Sequence, residues 1–203
     1  MDEVIFTPSN EPYLGRQSLK AFDDLIIACL AANSESAPKS HQIDKSDFQD
    51  AACQLIPQSI SLALSIRELV RQGYLFGALT LIRPLAERSV TLMYLRKNPE
   101  KIQIWNRGWK HNEAPNLSQM LNDLGKGQFP EIGPEITRPF NSLIHGKPDS
   151  AKWSLISLGD GQFGHGVSKI LDNPQLCDQI CVDTAVWLSS VMIIMLESFG
   201  SQH

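Results

Sequence analysis

The stretch "YLFGALTLIRPLAERSVTLMYLRKN", residues 74–98, limits the possible folds more than any other part of the chain. Wound at 3.6 residues per turn, it places apolar side chains on nearly every side. A helix of that kind needs neighbours all round, so it belongs at the centre of a helical bundle. Two oddities sit inside it. Arg83 and Glu87 lie at i and i+4 among leucine, isoleucine, valine, methionine and tyrosine. Buried charges cost several kcal/mol each unless paired, and this spacing lets the two satisfy each other. Pro84, between them, removes a backbone donor and frees a carbonyl near Thr80. The pair reads either as a structural ion bridge or as the lining of a polar cavity. Arg88, next in line, is expected to point to the surface.

The flanking segments supply the partners for such a helix. Residues 17–33, "QSLKAFDDLIIACLAAN", repeat apolar positions at helical spacing and run into the polar stretch "SESAPKSHQID". "SDFQ" at 46–49 is a capping box, with Ser46 as cap and Gln49 reaching back. A helix is predicted from there to about Arg71, bent at Pro57 and ended by Gly73. "NPE" at 98–100 and "NPQ" at 173–175 each set an asparagine cap before a proline in the first helical position. "NLSQ" at 116–119 is a second capping box. The last helix is predicted from about Pro174 to Phe199. "LGKGQFPEIGPE" (124–135) reads as a turn-rich break and "LGDGQFGHG" (158–166) as a glycine-rich loop, while "KWSLISL" (152–158) alternates weakly, as a short strand or an extended arm. The fold class is therefore all-α, an up-and-down bundle of about five or six helices with mostly antiparallel neighbours. Residues 1–45 are expected to form an N-terminal helix and polar linker and 46–203 the bundle, as one domain with the N-terminal helix packed on it.

Composition narrows the function. With 42% hydrophobic and 20% charged residues, the 203-residue chain is globular. A net charge of −4 argues against the broad basic surface of a duplex-binding protein. "MDEVIFTPSNEPYLG" places acidic residues where a leader would be basic. The apolar run 186–196 is short for a bilayer and reads as a buried helix. Four cysteines make no disulfide framework in a chain of this size. A cytoplasmic protein without a membrane partner is expected.

"ITRPFNSLIHG", residues 136–146, offers the chemistry. Arg138, Asn141, Ser142 and His145 fall near one helical face, with Phe140, Leu143 and Ile144 pointing elsewhere. A core-facing helix has no use for an arginine and a histidine stacked on one side. Pro139 disfavours helical geometry at Arg138, which sets that residue at the lip of the helix. His145 precedes Gly146, near a helix C-terminus that favours the imidazolium. Its ordinary pKa near 6.5 suits proton transfer at neutral pH.

Arg138-Pro-Phe-Asn-Ser-Leu-Ile-His145 resembles the Arg-x(4–6)-His signature of the HEPN superfamily of nucleotide-binding helical domains. The "LTLIRPLAERSVTLMYL" helix before "FNSLIHG" is similar to HEPN-like bacterial families in which an Arg-x3-Glu helix precedes a Ser/Asn-x(2–3)-His helix. The likeness spans roughly residues 50–199. It implies a small helical bundle and a metal-independent ribonuclease that uses the RNA 2′-hydroxyl as nucleophile, in the manner of a toxin or defence effector. His145 would be its acid or base, Arg138 would stabilise the phosphorane and Asn141 would orient either group. Arg83, Glu87 and Ser142 would line the binding pocket. The resemblance implies RNA or a nucleotide as ligand, a homodimer, an antitoxin protein as partner, and no cofactor or metal. The alternative is a non-catalytic module that binds a nucleotide or a protein.

Weaker candidates remain. Cys177 and Cys181 lie at i and i+4, and packing outweighs metal binding because no further ligands match their spacing. The glycines of 158–166 lack the context of a phosphate-binding motif, and His165 there is at most accessory. "WNRGWKHNE" (105–113) mixes two tryptophans with Arg107, Lys110 and His111, either as an RNA-stacking surface or as an amphipathic cover for the bundle.

Overall fold

A computed structural model describes residues 11–41, 44–110, 113–125, 141–142, 145, 147–166 and 169–200. The described elements in chain order are α1 (Gln17–Ser36), α2 (Asp47–Arg71), α3 (Leu75–Lys97), α4 (Ile102–Asn106), α5 (Leu117–Leu124), a hairpin of β1 (Leu155–Gly159) and β2 (Gln162–His165), and α6 (Pro174–Phe199). Short 3-10 turns cover Ala37–His41, Pro99–Lys101 and Pro148–Ser154. The chain is thus an all-α bundle with one small hairpin.

Local signals set most of the boundaries. Ser46 accepts from the backbone N–H of Gln49, whose side chain accepts from the Ser46 N–H at 2.9 Å. Asn116 and Gln119 do the same at the start of α5. Asn173 accepts from the Leu176 N–H at 3.0 Å, ahead of Pro174 at the head of α6. Pro57 and Pro84 both lie inside continuous helices. Gly73 ends α2 with φ of 81°, a left-handed conformation that side chains rarely adopt. A Cβ there would stand 2.7 Å from the Leu171 side chain, because the segment leading into α6 packs on this turn. That segment is pinned twice more. The Ile170 N–H donates to the Gly73 carbonyl at 2.9 Å, and the Tyr13 hydroxyl donates to the Ile170 carbonyl at 2.6 Å.

Two expectations need correction. Asn98 does not cap the turn after it. Its amide instead donates back to the Tyr94 carbonyl at 3.0 Å and across to Asp123 at 3.1 Å, closing α3 and tying it to α5. The glycine-rich stretch 158–166 is not an open loop but most of a hairpin, with Leu155 opposite His165 and Gly159 opposite Gln162. Gly159, Asp160 and Gly161 all have positive φ, as a tight reversal requires.

The core explains why α3 is apolar all round. Leu75, Ala78, Ile82, Leu85 and the run Ser89–Leu92 are buried, so α3 buries several faces at once. It packs against α2, α6 and α5. Helix directions follow from the cross-links. Arg67 of α2 pairs with Asp23 of α1, and Arg88 of α3 reaches Gln58 of α2, so α1–α2–α3 alternate. The last helix departs from that alternation. Arg16 and Ser18 at the head of α1 meet Asp178 at the head of α6, while Lys39, past the end of α1, reaches the Phe199 carbonyl. Ser89 meets the Trp187 carbonyl, and Arg96 meets Glu197. α6 therefore runs parallel to α1 and α3, and antiparallel to α2, whose first turn touches its end through Gln49 and Ser198. The apolar run 186–196 is part of this 26-residue helix, which is long and apolar enough by composition to cross a membrane. Here its inner face packs on α1, α2 and α3.

Candidate functional site

α3 holds Arg83 and Glu87 one turn apart, and the Arg83 Nε donates to Glu87 Oε1 at 2.9 Å. The side chains are 22% and 41% exposed, so the pair is part-buried at the edge of the bundle. The pair is an i, i+4 ion bridge, with Glu87 the more open of the two. A second bond carries more weight. Arg83 Nη1 donates to Asn141 Oδ1 at 2.6 Å, joining the central helix to a segment 58 residues further on. Arg88, one residue past Glu87, turns instead to α2, where it meets Gln58 Oε1 and the Pro84 carbonyl, both at 2.9 Å.

Asn141 and Ser142 are helical, and His145 follows in a turn. The His145 N–H bonds the Asn141 carbonyl at 3.1 Å, and the Lys147 N–H bonds the Ser142 carbonyl at 3.2 Å. The helical turn thus closes at His145, as its place before Gly146 suggests. The imidazole is exposed. Among the described residues, the buried Ser142 hydroxyl has no hydrogen-bond partner, although such groups are nearly always satisfied. Arg138 lies outside the described residues. Of the six residues singled out in sequence, three are joined in one network: Arg83, Glu87 and Asn141. Ser142 is adjacent in the chain, and His145 is one turn on.

This network has a definite chemical capacity. A guanidinium has five N–H donors in a planar fork. Among the described residues, Arg83 spends one on Glu87 and one on Asn141. The remaining donors suit a phosphate or carboxylate, while the Glu87 carboxylate offsets the guanidinium's charge. Among the described residues, no group of three or more His, Cys, Asp or Glu side chains stands ready for a metal.

The other sequence candidates resolve into structure. Cys177 and Cys181 are buried on the inner face of α6. A thiol–thiol hydrogen bond lowers the pKa of Cys177, and the same bond together with burial raises that of Cys181. His165 Nδ1 lies 3.0 Å from the Ser154 hydroxyl, at the base of the hairpin. Trp105 and Trp109 pack on the core, with Trp109 set edge-on to Tyr94 at 6.4 Å, which is the covering role. His111 lies outside the described residues. A groove of about 1230 Å³ opens beside Trp109, but its Asn116 and Gln119 side chains are engaged in the α5 capping box. Sequence reasoning missed the two part-buried clusters that fasten α1, namely Arg67 with Asp23 and Glu11, and Arg16 and Ser18 with Asp178. Their partners lie 44 to 162 residues apart, beyond any local pattern.

A family of unknown function (DUF5677) matches residues 49–111. That stretch holds most of α2 and all of α3 and α4, including Arg83 and Glu87, and stops short of Asn141. No curated protein and no solved structure matches the chain.

Proposed function

We propose that the Arg83–Asn141–His145 surface binds the phosphodiester of RNA and cleaves it without a metal, as the HEPN resemblance implies. The observation that carries this reading is the 2.6 Å bond from Arg83 to Asn141, which sets a guanidinium with unspent donors beside the turn bearing His145. In the reaction the substrate 2′-oxygen bonds to phosphorus and the 5′-oxygen leaves, giving a cyclic phosphate. His145 takes the proton from the 2′-hydroxyl or gives one to the departing oxygen. Arg83, and Arg138 from the neighbouring stretch, offset charge on the phosphorane. Asn141 fixes the guanidinium. The same reading covers a cytoplasmic toxin or defence effector that acts as a homodimer and is restrained by an antitoxin protein.

One observation favours a second reading, a module that binds a nucleotide or a protein and cuts nothing. Glu87 already neutralises Arg83 at 2.9 Å, which suits recognition better than stabilisation of an extra transition-state charge. Incubation of single-stranded and structured RNA with the protein in EDTA separates the two. Cleavage that leaves cyclic-phosphate ends and falls about 10²–10⁴-fold in His145→Ala supports the nuclease. Absence of cleavage in the wild type, or equal cleavage by the variant, removes it. A nucleotide that raises the melting temperature of an inactive wild type then favours the binding module.

A further inference from the structure

A guanidinium offers an anion two bidentate edges, Nε with Nη2 and Nη1 with Nη2. At Arg83 each edge has already lost a donor. Glu87 Oε1 takes Nε at 2.9 Å, and Asn141 Oδ1 takes Nη1 at 2.6 Å. Nη2 is common to both edges, and among the described residues nothing accepts from it. An incoming anion therefore meets one nitrogen, and it cannot straddle either edge without displacing a residue already there.

The two holders differ in kind. Asn141 is neutral, so its bond orients the guanidinium without changing the charge of the site. Glu87 brings a full negative charge on the same helix as Arg83 and is 41% exposed. An anion on Nη2 stands within the ~4–6 Å over which like charges disfavour one another. Among the described residues, the fixed charges of Arg83 and Glu87 sum to zero, and Asn141 and Ser142 add none. What attraction remains grows in proportion to the ligand's charge. The cost of taking an ion out of water grows with the square of that charge. A weakened attraction therefore still carries one negative charge and fails for two.

We infer that Glu87 is the specificity-determining residue of this surface: it admits a singly charged phosphodiester onto Nη2 and turns away the doubly charged phosphate of a monoester. The inference rests on the reading of the Arg83 surface as a phosphate-ester site, and it holds for the nuclease and for the binding module alike. Asn141 keeps the guanidinium in place in either case, while the charge beside it selects the ligand.

The test compares adenosine 5′-monophosphate with its methyl ester on the full chain, by calorimetric titration at low salt and about pH 8. The probes share base and sugar and differ by one charge, because the second ionisation of a phosphate monoester lies near pH ~6. The wild type should hold the methyl ester about fivefold more tightly than the monoester. Glu87→Gln keeps an oxygen for the Arg83 Nε and drops the charge. It should bind the monoester at least about fivefold more tightly than the wild type does and reverse the preference, with unchanged helical circular dichroism. Glu35→Gln, the same change of charge at an exposed position on α1, should keep the wild-type preference. A wild type that binds the two probes equally or prefers the monoester overturns the inference and leaves the phosphate-ester reading standing, as does a Glu87→Gln chain that binds the monoester no better. Failure of both chains to bind either probe removes that reading and this inference with it.

Discussion

Arg83 is held from two directions, by Glu87 on its own helix and by Asn141 from far along the chain. Lysine has the charge but not the fork. Arg83→Lys is therefore expected to weaken binding of a single-stranded oligonucleotide about tenfold, with little change in melting temperature, as read by fluorescence anisotropy. Ser142 makes the opposite kind of statement. Its hydroxyl is buried with no partner among the described residues. Ser142→Ala should match or exceed the wild-type melting temperature while weakening any ligand that the hydroxyl receives. Asp183 gives a pH signature. Burial pushes its carboxyl above the ordinary carboxylate range, against the opposing hydrogen bond from Gln179. A raised folded pKa means full stability below the unfolded value near 4 and a loss as pH rises through the folded one. Asp183→Asn should thus melt higher than wild type at pH 7, with the gap closing towards pH 4 in thermal scans.

Among the elements, the turn between α2 and α3 carries the sharpest constraint. Gly73→Ala meets both a positive φ and the Leu171 side chain, so it should cost about 2 kcal/mol or more and lower the melting temperature by about 4–8 °C. Ser46→Ala removes one half of a capping box and should cost about 1 kcal/mol. The contrast between these positions explains what could be read in advance. Capping boxes at Ser46 and Asn116, and the Asn173–Pro174 start, are local chemistry, and they place α2, α5 and α6 to within a residue. Asn98 looks like the same signal, yet its amide serves α3 and α5, because a tertiary partner at Asp123 competes for it. The hairpin hid in a run of glycines, since a positive-φ turn and a loose loop share one composition. At the candidate site, the Arg83–Glu87 pair was legible from its i, i+4 spacing. Its partial burial and its bond to Asn141 were not, because both depend on a segment 58 residues further along the chain.

The arrangement of the whole molecule follows from one departure, the return of α6 parallel to α1 and α3. Arg16 at the head of α1 finds its carboxylate 162 residues later. The inward faces of α1, α2 and α3 stay incomplete until Leu188, Val191 and Met195 arrive. A chain stopped before Pro174 is therefore expected to lose cooperative thermal unfolding and to bind an apolar dye, as measured by calorimetry and dye fluorescence. During synthesis the same geometry sets an order of events. The first three long helices leave the ribosome with an apolar trench open between them, and only a segment made seconds afterwards can fill it. Until it does, that apolar surface stays exposed, and slow translation of the stretch between Lys97 and Pro174 lengthens the exposure.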